Sequence, residues 1–287
     1  MNFRKNLVLA STLLAAAFAT QASTNAQTLT AQRSGYYSLN LGNSWMGGSV
    51  FAGAALQARR TPDPLIYTRS TNYAYAALSA DASVKFLNRT IPLAYSGLTA
   101  QARTGTSPYD ASFSLYVRGV TERNQRFTTA GVHNFLSFYR TFDLFPVDPS
   151  ASVSVAGVPV TVRGNVGVGV EATAVVNMVG NGYAGIGGVG RVWGYGRVSA
   201  QAGWSWAGAG VDLRATFANT RLSPSIHADA RNPFNGGPSL PRIVGQISMT
   251  IQPIALKLDV WVALVLRYTH NLVNWAAPTI SLFNILF

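Results

Sequence analysis

Apolar and polar residues alternate with a period of two along most of the chain, and the alternation changes phase at short polar or glycine-containing breaks. Residues 158–172, VPVTVRGNVGVGVEA, are the clearest case. Valine occupies positions 158, 160, 162, 166, 168 and 170, while Pro159, Thr161, Arg163, Asn165, Gly167, Gly169 and Glu171 alternate with them. A period of two sends successive side chains to opposite faces of a strand, so this stretch predicts a sheet with one apolar face and one small, polar face. Val153 and Val155 sit in the opposite phase, which predicts a bulge or tight bend at Gly157. A second bend is expected at Gly164, because about 20 residues of flat strand would extend roughly 65 Å.

The same reading organises the rest of the chain. Tyr37, Leu39 and Leu41 alternate within 27–65 and predict an N-terminal strand region, closed by a loop at Arg59-Arg60-Thr61-Pro62-Asp63-Pro64. Leu78, Ala80, Ala82, Val84 and Phe86 share one phase, Ile91, Leu93 and Tyr95 alternate again, and the polar break at 87–90 predicts a hairpin. The alanine content of 74–87 leaves a short helix as the rival there, with 132–142 as a second place for one. Phe113, Leu115 and Val117 form another strand. Phe135, Phe138, Tyr139, Phe142 and Phe145 predict either a packed seam or an aromatic patch that meets a membrane or ligand. Residues 180–196 are dense in glycine and predict a turn; 231–241, with three prolines, reads as a loop. Val198, Ala200, Ala202 and Trp204 share one phase, and Val211, Leu213, Ala215 and Phe217 the other. From Ile254 to Tyr268 an unbroken row runs through Leu256, Leu258, Val260, Val262, Leu264 and Leu266 and is expected to face either a core or lipid. The expected fold class is therefore all-β. One β-rich domain covers 27–287, with long antiparallel strands, glycine bends and at most one or two short helices, arranged as a sandwich or a closed barrel.

Phe283, Ile285 and Phe287 alternate to the last residue. This ending resembles the last strand of outer-membrane β-barrel proteins, which alternates apolar residues and finishes on Phe. The resemblance implies a barrel of about ten to twelve strands, with the 254–268 row turned to lipid. Thr279 and Ser281 depart from the pattern, and Leu282 and Leu286 make both faces apolar.

Composition sharpens the surface problem. Hydrophobic residues make up 48% of the chain and charged residues only 11%, where about 25% is usual for a soluble domain. Such a surface is either coated with Ser, Thr, Asn, Gln and Gly or covered in part by lipid or a partner. The formal net charge is +12, which favours an anionic partner: an acidic glycan, lipopolysaccharide or a lipid surface. Arg118, Arg123 and Arg126 are the densest basic group and the candidate anionic-ligand surface. No zinc-finger, helix-turn-helix or RNP-type pattern accompanies the charge, so nucleic acid is not an expected partner. Arg4 and Lys5 precede an apolar stretch at 7–19, shorter than the roughly 20 residues that span a bilayer. This predicts a signal peptide over 1–22, cleaved between 19 and 26, and an exported chain in the periplasm, at the cell surface or outside the cell. The chain has no cysteine, which excludes disulfides and a cysteine-linked lipid anchor.

Candidate chemistry is sparse. His227 and Asp229 are two apart and share a face if 225–230 is a strand, but a surface pair in a loop is the simpler reading. Gly185, Gly187 and Gly190 match GxGxxG without the helix and downstream acid that a dinucleotide site requires. Asn88-Arg89-Thr90 fits a glycosylation triplet in a turn. No HExxH, GxSxG or phosphate-loop motif occurs. The sequence thus predicts an exported, non-enzymatic binding or structural protein of the cell envelope or extracellular space, without cofactor or metal. An outer-membrane barrel is the alternative.

Overall fold

The computed structural model describes residues 28–42, 46–63, 70–86, 89–118, 120–143, 150–204, 207–264 and 266–287. The expected signal peptide, Leu87 and Asn88 of the expected turn and glycosylation triplet, and Phe145 lie outside them. Strands β1 (Leu29–Gly42), β2 (Met46–Pro62), β3 (Ser70–Phe86), β4 (Arg89–Arg103), β5 (Tyr109–Val117) and β6 (Val120–Phe127) form one antiparallel sheet in chain order. After β7 (Gly131–Asp143) and β8 (Ser150–Val155) come four long strands: β9 (Val158–Val179), β10 (Tyr183–Trp204), β11 (Ala207–Asp229) and β12 (Arg242–Leu264). β13 (Leu266–Ala276) and β14 (Ile280–Leu286) complete the second sheet. β7 and β8 pair with successive parts of β9, and β14 and β13 with successive parts of β12, so this sheet is six rows wide.

The sheets stack with matching strands aligned: β12 lies against β1 and β2, β10 against β3 and β4, and β9 against β4. Among the described residues neither sheet closes on itself or on the other. The fold is a sandwich, and the closed-barrel expectation is corrected. The C-terminal strand that suggested a barrel pairs with β12, and Phe283 packs on Tyr37 across the sandwich, ring centroids 4.2 Å apart.

Both layers of the core mix small and large residues: Leu56, Phe113 and Leu115 stand among the alanines of the first sheet, and Ala174, Ala184 and Ala228 among the larger residues of the second. Ala52, Ala54, Ala58, Ala74, Ala76, Ala100 and Ala102 of the first sheet meet Val176, Met178, Ile186, Ile226 and Met249 of the second. Small residues facing large ones let the layers interdigitate at native density. This decides 74–87, which is strand and not helix: Ala74, Ala76 and Leu78 point inward while Tyr73, Tyr75 and Asp81 alternate outward. Residues 132–142 are likewise strand, and a bulge between Phe135 and Phe138 lets both rings enter the core. The aromatic run is a packed seam, with Phe135 5.2 Å from Phe113. The one helical element among the described residues is the 3-10 turn Pro233–Asn235.

Three local expectations change. The phase reversal at Gly157 is a two-residue hairpin turn between β8 and β9, with positive φ at Ala156 (51°) and Gly157 (82°). Gly164 sits in register opposite Val198 inside an unbroken β9. The glycine-rich 180–196 segment turns only at 180–182 and then continues as β10. Its glycines accommodate neighbours: a Cβ on Gly194 would lie 2.1 Å from the Phe217 ring.

β2 also runs through Arg59 and Arg60, which were expected in a loop. Arg60 is buried at the end of the sandwich where β1 begins. Its guanidinium donates to the carbonyls of Arg231 (2.8 Å), Pro238 (2.9 Å) and Ser239, pinning the 231–241 loop. Beside it, buried Asn72 donates to the Asn181 carbonyl at 2.7 Å, tying the first sheet to the β9–β10 turn. Replacing Arg60 with Met leaves three carbonyls without their donor. We expect a loss of about 2–4 kcal/mol in urea unfolding, with new protease cleavage inside 231–241.

Candidate binding surface

The second sheet is longer than the first. The packed core ends at the cluster of Ala82, Leu93 and Val168. Beyond it β8, β13 and the adjoining parts of β9 to β12 continue for about eight residues as a wing, uncovered by the first sheet. Directly opposed residues of an antiparallel pair share a face, so the register defines the two faces of the wing.

One face is apolar and continuous with the core face. Its middle row is Ala151, Val162, Ala200, Val211, Val260 and His270. The next row outward is Val153, Val160, Ala202, Ala209, Val262 and Tyr268. Toward the core lies Gly164, Val198, Leu213, Leu258 and Val273, then Val166, Gly196, Ala215, Leu256 and Trp275. Trp204, Ala207, Leu264 and Leu266 form the rim. The predicted row Leu256, Leu258, Val260, Val262, Leu264 and Leu266 falls wholly on this face, split between β12 and β13. It belongs to no closed core: Val262 is 50%, Leu264 69% and Leu266 65% exposed.

The other face is polar. Asp212 is buried and accepts two hydrogen bonds from Arg197 (2.9 and 2.6 Å) and two from Arg214 (3.3 and 2.8 Å). On the neighbouring strand Asp259 accepts from Asn271 at 2.8 Å and pairs with Lys257 at 3.3 Å. Arg267 stacks on Trp261, 4.3 Å from the ring centroid. Trp261 lies flat across β11, where a Cβ on Gly210 would come within 2.6 Å of its ring. Thr161, Arg163, Arg197, Ser199, Gln201, Asp212, Trp261 and Arg267 line a hollow of about 220 Å³. Five cationic groups, Arg163, Arg197, Arg214, Lys257 and Arg267, surround two carboxylates, so the hollow keeps a positive excess. Burial raises the pKa of Asp212, but the hydrogen bonds from Arg197 and Arg214 outweigh it and hold the carboxyl below the ordinary range. Below the hollow, Asp143 accepts from Tyr195 (2.7 Å) and Asn165 (2.9 Å). Burial, then this hydrogen bond, pushes the Tyr195 hydroxyl up to about 12.

The remaining sequence candidates disperse. Arg118 is in the β5–β6 turn, Arg123 faces Leu115 in the ladder and Arg126 faces Ser112, so Arg123 and Arg126 occupy opposite faces of β6. Arg126 is also paired with Asp110 at 2.8 Å. His227 and Asp229 share a face of β11, in strand and not in a loop, but Asp229 is buried and taken by Arg231 (3.0 and 2.9 Å) while His227 stacks on Tyr183. Gly185, Gly187 and Gly190 lie within β10. The hollow draws on five consecutive strands, β9 to β13; its linear signal is the polar residue between successive valines or leucines.

Asp212 has a folded pKa below its unfolded value, so its contribution is complete above the unfolded value, about 3.9, and is lost as pH falls through the folded value. Asp212→Asn should cost about 1–2 kcal/mol at pH 7. The gap between the variant and the parent should narrow on acidification from pH 5 toward pH 3, read by thermal unfolding at each pH.

No family model matches this chain, and no curated protein matches it.

Proposed function

We infer that the protein is a non-enzymatic binding component of the cell envelope or extracellular space that takes an acidic glycan in the polar hollow of the wing. The observation that carries this reading is the excess of guanidinium groups around Trp261. Guanidinium forks bind carboxylate, sulfate and phosphate groups in two-point hydrogen bonds. Stacking on Trp261 engages the flat face of Arg267 and leaves its N–H edge for a ligand. Thr161, Ser199 and Gln201 add neutral donors and acceptors suited to sugar hydroxyls. The hollow is small, about 220 Å³, and partly open to solvent, which suits one or two units of a polymer more than an engulfed small molecule.

Export rests on the amino-terminal leader pattern, and fractionation tests it: the mature chain should be recovered from periplasm or medium. Binding is tested by calorimetry with polygalacturonate, against dextran as the neutral control. Arg163→Ala and Arg267→Ala should each weaken binding about tenfold, and binding should fall with added salt. Equal binding of dextran and polygalacturonate, or variants that bind like the parent, would overturn the glycan reading.

A further inference from the structure

The apolar face of the wing has no covering layer among the described residues, although it continues the face that the first sheet covers elsewhere. We propose that a second copy of this chain covers it, through a two-fold axis that runs across the strands along the Val162–Ala200–Val211–Val260 row.

Four observations select this occupant. The first is area. Six strands about 4.8 Å apart and about eight residues long at 3.3 Å each present roughly 750 Å², close to the roughly 800 Å² per partner of a stable interface. The second is shape. The face is recessed behind the first sheet by one sheet-packing distance, about 10 Å. A flat bilayer would be held off by that step, whereas a second sheet fills it.

The third is symmetry. An axis along the strands would drive each first sheet into the other copy's second sheet. An axis across them puts each first sheet beyond the end of the other copy's wing, and the dimer becomes one continuous two-layer sandwich. Each wing then supplies the layer that the other lacks, an isologous contact.

The fourth is size complementarity under this rotation. Residues on the axis row meet their own copies, Val211 against Val211. The row one step outward meets the row one step inward, so Ala209 opposes Leu213, Ala202 opposes Val198 and Val160 opposes Gly164. One step further, the exposed ring of Trp204 opposes Gly196. At these positions large residues fall on small ones; on β12 and β13 the same rotation sets Val262 against Leu258, Leu264 against Leu256 and Tyr268 against Val273, apolar on apolar. The polar hollows end on opposite outer faces of the dimer, so the pairing leaves the glycan reading intact and does not depend on it.

Sedimentation of the full chain at micromolar concentration should give twice the 30.6 kDa chain mass. Val211→Lys sets two ammonium groups against each other on the axis and should weaken association on the order of a hundredfold or more. Thr269→Lys, on the polar face, should leave the mass unchanged. Because the chain has no cysteine, Val211→Cys gives a single thiol, which a short bis-maleimide should convert to a covalent dimer; Thr269→Cys should not cross-link. A monomeric parent overturns the proposal, as does a dimer that survives Val211→Lys. Flotation of a monomer with phosphatidylcholine vesicles, abolished by Val211→Lys, would assign the face to lipid. A monomer whose Val211→Cys thiol resists labelling would mean that the chain covers the face itself. Polygalacturonate binding by the same variants separates the two readings: loss of pairing with binding retained sinks only the dimer.

Discussion

The structure depends on a mismatch of length. Two sheets share one apolar interface, but β9 to β12 run for 22 or 23 residues while the strands that cover them stop at 17 or fewer. An apolar strand face is stabilised only where another layer removes it from water, at about 25 cal/mol per Å². The first sheet supplies that layer over most of the second. The remainder, the wing, keeps the same alternation without the cover, and the two surfaces described above follow from it.

The two ends are accordingly built from different chemistry. At the end near Leu29 the sandwich is closed by polar latches: Arg60 on three carbonyls, Asn72 on Asn181, and Asp229 held by Arg231. The Arg60 guanidinium, the Asn72 amide N–H and the Asp229 carboxylate there have partners supplied by a neighbouring loop or the other sheet, which fixes how the layers sit against each other; Asn72 Oδ1 is buried without one among the described residues. At the wing end the described residues form no such latch between the two sheets. The guanidinium groups gather on the outer face around Asp212 and Trp261, and the valines and leucines stay on the inner face. That segregation makes the wing amphipathic in the sheet sense, with one face suited to charged ligands and the other to a second apolar layer. It also accounts for the low charge content, since a large fraction of the sheet carries charge on one side only.

The alternation by itself pointed to a largely β, antiparallel chain, and it assigned the residues of β9 and β12 to faces correctly even where it misjudged the turns; Ile91, Leu93 and Tyr95 do not share a face, because a bulge at Leu93 leaves Leu93 buried and turns Tyr95 outward beside Asp81. Val158 to Val176 share one face, and Leu256 to Leu266 share another stretch of the same surface, because a period of two is a local property of extended backbone. It could not distinguish a bulge from a hairpin at Gly157, since both reverse the phase; a turn is defined by the strand that pairs back, β8 on β9. It did not place Arg60 inside, because the three carbonyls that make burial of a guanidinium tolerable come from residues about 170 positions away. Nor could it assemble Arg163, Arg197, Asp212, Trp261 and Arg267, which meet only through the register of five neighbouring strands. Whether an apolar face becomes core or exposed surface is likewise not encoded in its own strand. Val176 and Val162 carry the same side chain in the same phase of β9; one is buried and the other 43% exposed, because the first sheet reaches the one and ends before the other.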